Sequence, residues 1–417
     1  MVKEVELDAR LCLLCRGGRY LCGLVYCPVL ARSSIYRGLS RVEGARELWG
    51  SSPPTIFVGR AGYPRVRAGL GAPPVEGDTS VYESPEAWTA LPLERVLEFR
   101  VGLVLGYELV DVHGGSSRIL DELRELALSS RPVDVEMEFA RPLRPRVLLD
   151  EHVPPMGPGS PLRRLRLASN PSVPRVVERV SSDVDLDAEE ALVELYENGV
   201  PVSYIQRLLS AGCLGGRSRR LVPTRWSITA VDDVISRALL REISSSPSID
   251  EYEVFHLEHS KNLFVALLAP GAWAFEWMEA WYPGSTWNPA SSGEPAIEGD
   301  HEFHWGRRTY ASIGGCYYAA RLAAAEHLAR RGRRATVVLL REIYPGFDVP
   351  IGVWFVRESL RKMFSSSAPE RFSSLDEALA RVAELSRLGL NRWLARSRLL
   401  EALRAQRRLD AWTAPTR

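Results

Sequence analysis

The chain of 417 residues is 46% apolar and 25% charged, with a net charge of +1. That is enough apolar content to bury the core of two domains, or of one large domain with appendages, while near-neutrality excludes a global electrostatic attraction to nucleic acid. The longest apolar run, LFVALLAPGAWAF (263–275), is too short for a bilayer and holds Pro and Gly. MVKEVELDAR (1–10) mixes charge signs where a secretory signal would not. A soluble, cytoplasmic protein with no membrane partner is expected, and there thiols stay reduced unless they bind metal or do redox chemistry.

The first element is therefore informative. LCLLCRGGRYLCGLVYCPVLA (11–31) holds four of the six cysteines, with Cys12 and Cys15 as C-x2-C, then Cys22, then Cys27. Four thiolates close a tetrahedral shell around Zn2+ and leave no open position, so the site would be structural. C-x2-C reads as a tight turn aiming two sulfurs at one point, with Gly17, Gly18 and Gly23 letting the loop bend back. An iron–sulfur cluster also takes four thiolates and is the competing reading. This cysteine module is set at residues 1–35.

Next, Ile56–Val58 reads as a short strand between Pro and Gly. LEFRVGLVLGYELVDVH (97–113) reads as strand or buried helix, and VDVEMEFARP (133–142) alternates as a strand does. Residues 153–174, rich in Pro, Gly and Ser, read as a loop or internal linker. Asp187 caps a helix that stops at Gly199, and a second helix restarts after Pro201. EYEVFHLEHSKNLFVALLAP (251–270) reads as a hairpin turning near Lys261 and Asn262. A helix follows Gly314 and Gly315 and ends at Gly332, and ATVVLLREIYP (335–345) is a strand. Ser374 caps a helix with leucines at helical spacing, and a last helix runs from about Asn391 to Arg407. Strands and helices without regular alternation predict an α+β fold with a mixed sheet. The core is set at 36–370, the terminal helices at 371–405 and a tail motif at 406–413.

Residues with chemistry are scattered. Asp300, His301, Glu302 and His304 in GDHEFHWG (299–306) form the best candidate catalytic loop. Arg225, Trp226 and Glu342 are weaker candidates. Arg217, Arg219, Arg220 and Arg225 crowd one stretch and are candidate phosphate contacts. His256 and His259, three apart on a strand, point to opposite faces and do not share a metal. No P-loop, nucleophile elbow or H-E-x-x-H names a reaction.

At the other end, Gln406, Leu409 and Trp412 in QRRLDAWTAPTR (406–417) have the spacing Q-x-x-L-x-x-aromatic. This resembles the PIP box, the peptide by which replication and repair proteins dock on the PCNA sliding clamp. One 3₁₀ turn puts Leu409 and Trp412 on the same side, ready to plug an apolar pocket. Thr413 departs from the motif, which has a second aromatic or large apolar residue there.

PPTIFVGRAGYPRV (53–66), RRLVPTRWSITAVDD (219–233) and REIYPGFDVPIGVWFVRE (341–358), with the two end motifs, resemble the Nre family of archaeal DNA-repair proteins over nearly the whole chain. The resemblance implies a DNA-repair factor with a zinc finger on Cys12, Cys15, Cys22 and Cys27 and clamp anchors at Gln406, Leu409 and Trp412. It supplies no catalytic residues. Alternatives are an enzyme acting on nucleic acid or a nucleotide-like substrate, and a zinc-stapled scaffold that binds proteins only. A deep pocket lined by the 299–306 residues would favour the enzyme; a shallow basic groove would favour a DNA-binding factor.

Overall fold

The computed structural model describes residues 9–15, 21–22, 42–113, 117–144, 150, 152–290 and 292–405. The chain forms two compact units, an N-terminal one (26–238 with 349–358) and a C-terminal one (1–25, 239–348 and 359–417). Each has its own mixed six-stranded sheet. The fold is α+β as expected, with two sheets where one was foreseen. Among the described residues no helix is long and apolar enough to cross a membrane.

The N-terminal sheet contains β1 (Glu47–Ser52), β2 (Thr55–Val58), β3 (Arg65–Ala72), β4 (Val104–Asp111), β5 (Val133–Phe139) and β6 (Gly159–Leu167), ordered β1-β5-β6-β4-β3-β2. Only β4 and β6 run parallel. On β5 the alternation is literal: Val133, Val135, Met137 and Phe139 are buried, while Asp134, Glu136 and Glu138 face outward. Leu120, Leu123 and Leu126 of helix Arg118–Ala127 are buried too, at helical spacing. The ambiguous 97–113 stretch divides between helix Leu93–Val101 and β4.

The stretch expected as a linker holds β6, an interior strand. Its prolines and glycines serve close packing. A Cβ on Gly157 would stand 2.2 Å from the Val101 carbonyl oxygen, and Arg100 donates to the Pro155 carbonyl at 3.0 Å. Pro161 cannot donate to the sheet, and the β5–β6 register slips close by, between Glu138 and Phe139.

The C-terminal sheet contains β7 (Tyr252–His259), β8 (Asn262–Ala269), β9 (Ala274–Trp281), β10 (Ala296–Glu302), β11 (Thr336–Ile343) and β12 (Glu370–Phe372), ordered β10-β9-β11-β8-β7-β12. β8, β9 and β11 are buried at every position, which requires cover on both faces. Helix Gly315–Arg331, buried from Gly315 to Leu328, brings Tyr317 against Phe275 of β9 on one face. Ala378, Leu379, Val382, Trp393, Leu399 and Leu400 pack with Val265, Leu267, Met278 and Leu340 on the other. Trp393 is fully buried, and burying a side chain of this size contributes about 3 kcal/mol.

Local signals were sound here. Ser374 and Glu377 form a reciprocal capping box, and Gly332 ends its helix in the left-handed region at φ 58°. The hairpin turns one residue earlier than expected, at Ser260 and Lys261, with φ of 47° and 62°. The last helix is two, Leu390–Leu394 and Arg398–Ala405. Ser397 interrupts them because its hydroxyl accepts from Leu400 N–H (3.0 Å) and donates to the buried Glu276 carboxylate.

Candidate nucleic-acid interface

Two of the distinctive sequence segments meet in the N-terminal unit. In GRAGYPRV a turn is closed by Tyr63 N–H to Arg60 O (3.3 Å) and Arg65 N–H to Gly62 O (3.0 Å). In LVPTRW, helix Thr224–Glu242 begins. Val58 N–H at the end of β2 donates to Thr224 Oγ1 (2.8 Å), which pins that helix start to the sheet. Thr224 Oγ1 also meets Ser210 Oγ at 3.0 Å, and Trp226 N–H closes onto Pro223 O at 2.7 Å.

This framework gathers three rings. Tyr63 lies 5.1 Å from Trp226 with the planes tilted at 54°, and 6.0 Å from His113 edge-on. Tyr63 is 43% exposed and Trp226 45%. Large aromatic side chains left this open, in contact with one another, form a surface and not a core.

Arg60 and Arg65 stand near Tyr63 in the chain, and Arg225 precedes Trp226. Arg225 contacts both carboxylate oxygens of Asp150, at 3.4 and 3.3 Å. Burial alone would raise the Asp150 carboxyl, but the charges of Arg225, His152 and Arg60 and the His152 N–H outweigh it and hold it below its ordinary value. Arg65 is exposed. Asp111, opposite it in register, turns its carboxylate to His113 N–H at 2.9 Å. Further along the solvent face, Arg67 stacks on Tyr107 at 4.9 Å, and its register partner Leu109 is 50% exposed.

Behind the rings, Ile56, Arg100, His152, Gln206, Thr224 and Arg357 line a cavity of about 50 Å³. That admits a few waters and no substrate, against roughly 300 Å³ or more for a ligand pocket. The surface can therefore stack planar groups and contact phosphates, but it does not enclose a reactant.

The other candidates fall elsewhere. Arg217 pairs with Asp185 at 3.3 Å, both largely exposed, and Arg219 donates to the Asp183 carbonyl at 2.9 Å. Arg220 is exposed. Of the four arginines only Arg225 adjoins a ring residue in the chain, and its guanidinium is turned to Asp150. Residues 299–302 form not a loop but the end of β10, which pairs with β9 from Ala296↔Trp281 to Glu302↔Phe275. Its composition, without β-branched residues after Ile297, hid the strand.

Asp300 accepts from Arg307 (2.8 Å) and Ser312 N–H (2.7 Å). These bonds outweigh burial and lower its carboxyl. Glu302 is buried against Arg321 (3.0 Å) and Trp273 (3.0 Å). Burial lowers His301, and His304 stands edge-on to the exposed Trp305 at 4.7 Å. Asp300 and Glu302 thus hold separate arginines, and His301, between them in a strand, points the other way. Glu342 accepts from Tyr282 (3.0 Å), Tyr344 (2.9 Å), Ser386 and Leu388 N–H (3.2 Å), a saturated structural carboxylate. His256 and His259 also part, toward Glu370 (3.6 Å) and Ser359 (2.9 Å).

Cys12 and Cys15 lie in a short helix, Ala9–Cys15, where a tight turn was expected. Residues three apart share a helical face, so the helix aims both sulfurs together as the turn would have. Leu21 N–H, next to Cys22 in the chain, donates to Cys15 Sγ at 3.4 Å. Among the described residues no three potential ligands stand together as a metal site. Cys27 lies outside the described residues, as do Gln406, Leu409 and Trp412.

Tyr63, Arg60 and Arg65 carry no signal of their own in the sequence beyond their place in GRAGYPRV, one of the segments that resembles the family.

The family model described as archaeal Nre, N-terminal, matches residues 21–288, and archaeal Nre, C-terminal, matches residues 302–412. The chain is 48% identical over 390 residues to the DNA repair protein NreB of Archaeoglobus fulgidus, covering 94% of this chain and 97% of that one. It is 38% identical over 376 residues to the DNA repair protein NreA of the same organism, covering 88% and 92%. It is 37% identical over 327 residues to the DNA repair protein NreA of Haloferax volcanii, covering 76% and 78%. No solved structure matches. Matched across both halves and similar to these relatives over most of its length, the chain belongs to the archaeal Nre family.

Proposed function

We propose that this chain is a DNA-repair factor that touches DNA through the Tyr63–Trp226 face and reaches its site of action by docking on the PCNA sliding clamp. The observation that carries the DNA contact is the meeting of GRAGYPRV and LVPTRW in an exposed contact of rings, Tyr63 on Trp226, from two arginine-bearing segments. The names of the relatives support the repair role. A neutral chain contacts phosphates weakly by itself. Tethering to the clamp raises its local concentration at DNA by mass action alone. In this reading Gln406, Leu409 and Trp412 are the clamp anchors.

Cys12, Cys15, Cys22 and Cys27 hold a structural zinc that staples a lobe too small for a core of its own. The shared helical face of Cys12 and Cys15 and the Leu21 N–H bond to Cys15 fit that ligand set. The metal supplies folding energy there and no chemistry.

The test is calorimetric titration of the organism's sliding clamp with the full chain, with a chain ending at Arg404, and with Leu409→Ala/Trp412→Ala. Binding by the full chain alone is expected. Equal binding by all three, or by none, removes the clamp from the proposal.

A further inference from the structure

We propose that Tyr63, His113 and Trp226 form a stacking platform for unpaired nucleobases, so that the DNA taken at this face is a single strand; this rests on the DNA-contact reading above. A base inside a duplex has both faces covered by its neighbours. A protein ring reaches a base face only where the strand is unpaired or splayed. The platform therefore discriminates by what it presents, which is ring faces and not donors arranged to read a groove edge.

Three observations point the same way. The rings are preorganised. Tyr63 is held by the turn bonds on either side of it, and Val112 N–H donates to Pro64 O at 3.0 Å, extending the β3–β4 pairing up to Tyr63 and His113. Trp226 sits in the first turn of a helix pinned through Thr224. Little side-chain order is then lost on binding.

The charge is sparse and placed beside the rings. Among the described residues Arg65 has no carboxylate within ion-pair distance. Arg67 and Tyr107 continue a positive, aromatic path along the outer face of β3 and β4. That suits one flexible backbone better than the two fixed phosphate rows of a duplex.

The adjoining helix is not built to read a major groove. On its outer stripe of Trp226, Ala230, Asp233 and Arg237, the arginine is already held by Asp233 (3.0 Å) and Glu189 (3.3 Å), carboxylates that would repel phosphate.

The experiment is fluorescence anisotropy with the full chain and three labelled ligands: a thymidine oligonucleotide, an abasic sugar–phosphate strand of equal length, and a blunt duplex. Wild type is expected to bind the thymidine strand about tenfold or more tighter than the other two. Trp226→Ala is expected to lose about tenfold on the thymidine strand and almost nothing on the abasic strand or the duplex. Trp226→Phe should keep most of the affinity.

Trp226 is exposed, so its replacement should leave the melting temperature unchanged. Tyr63→Leu gives a second reading of the same loss. Duplex bound as tightly as the thymidine strand, or equal weakening of all three ligands by Trp226→Ala, overturns the platform and leaves the DNA contact standing. Binding to none of the three overturns both.

Discussion

Removing Asp232 should unfold the N-terminal unit at a markedly lower temperature. Asp232 and Arg357 are 0% and 1% exposed. Arg357 Nη1 lies 2.9 Å from both carboxylate oxygens, and Gln206 donates to the same carboxylate at 3.0 Å. The pair ties TAVDD in helix Thr224–Glu242 to WFVRE in helix Trp354–Ser366, within one unit. In Asp232→Ala the guanidinium stays buried and loses a carboxylate, with Glu358 still 3.1 Å from its Nε. Breaking a buried pair from one side costs about 3–5 kcal/mol, and the remaining Glu358 argues for the lower end. At about 2–4 °C per kcal/mol for a unit of this size, the melting temperature should fall by about 6–12 °C. Differential scanning calorimetry of the full chain measures this. Asp232→Ala/Arg357→Met, which removes both charges, should recover part of the loss. A single variant melting within about 2 °C of wild type would refute the buried pair.

Acid should act through His327. Burial first, then Arg331 and Arg330, push its pKa down to about 3. Its Nε2 lies 3.1 Å from Arg331, and the ring stacks on Phe364 at 4.4 Å. A pKa below the unfolded value means the fold favours neutral imidazole. That contribution is complete above about pH 6.5 and is lost as pH falls toward about 3. The stability gap between wild type and His327→Gln should therefore narrow with acid over that range; a constant gap would refute it.

Gly69→Ala places a Cβ 2.1 Å from the Gly106 carbonyl oxygen and 2.8 Å from Tyr107 Cβ. β3 and β4 must separate, and the chemical-denaturation midpoint should drop clearly. Ser374→Ala removes one half of a capping box and should cost about 1 kcal/mol by urea unfolding. Purified protein should be colourless with about one zinc per chain by elemental analysis; a brown protein would replace zinc with an iron–sulfur cluster.

The sequence was most legible where local chemistry decides the backbone. Asp187, Ser374 and Gly332 announced their helix ends, and the alternation of β5 announced its two faces. It misled where packing against a distant segment overrides composition. Residues 153–174 have the residues of a linker, yet Gly157 and Pro161 are there because Val101 and a register slip require them. The 299–302 carboxylates looked like a latent site because their partners, Arg307 and Arg321, were invisible along the chain. The ring cluster was out of reach for the same reason. Tyr63, His113 and Trp226 are separated by many residues, and the pairing of β3 with β4 and the Val58–Thr224 bond bring them together.

Glu276 has a mechanical consequence. Buried in β9, it accepts from Ser397 and from the N–H groups of Arg398 (2.8 Å) and Leu399 (3.3 Å). Burial raises its carboxyl and those donors oppose the rise. A helix of eight residues would fray in isolation. This one is bolted to an interior strand and seats Leu399 and Leu400 in the core. Leu409 follows Ala405 by four residues, at most about 14 Å of chain. A clamp that grips Leu409 would therefore bear on the β-sheet itself and not on slack tether. The C-terminal unit would ride against the clamp's surface, and a pull on the tail would pass through Ser397, Arg398 and Leu399 to Glu276 of β9.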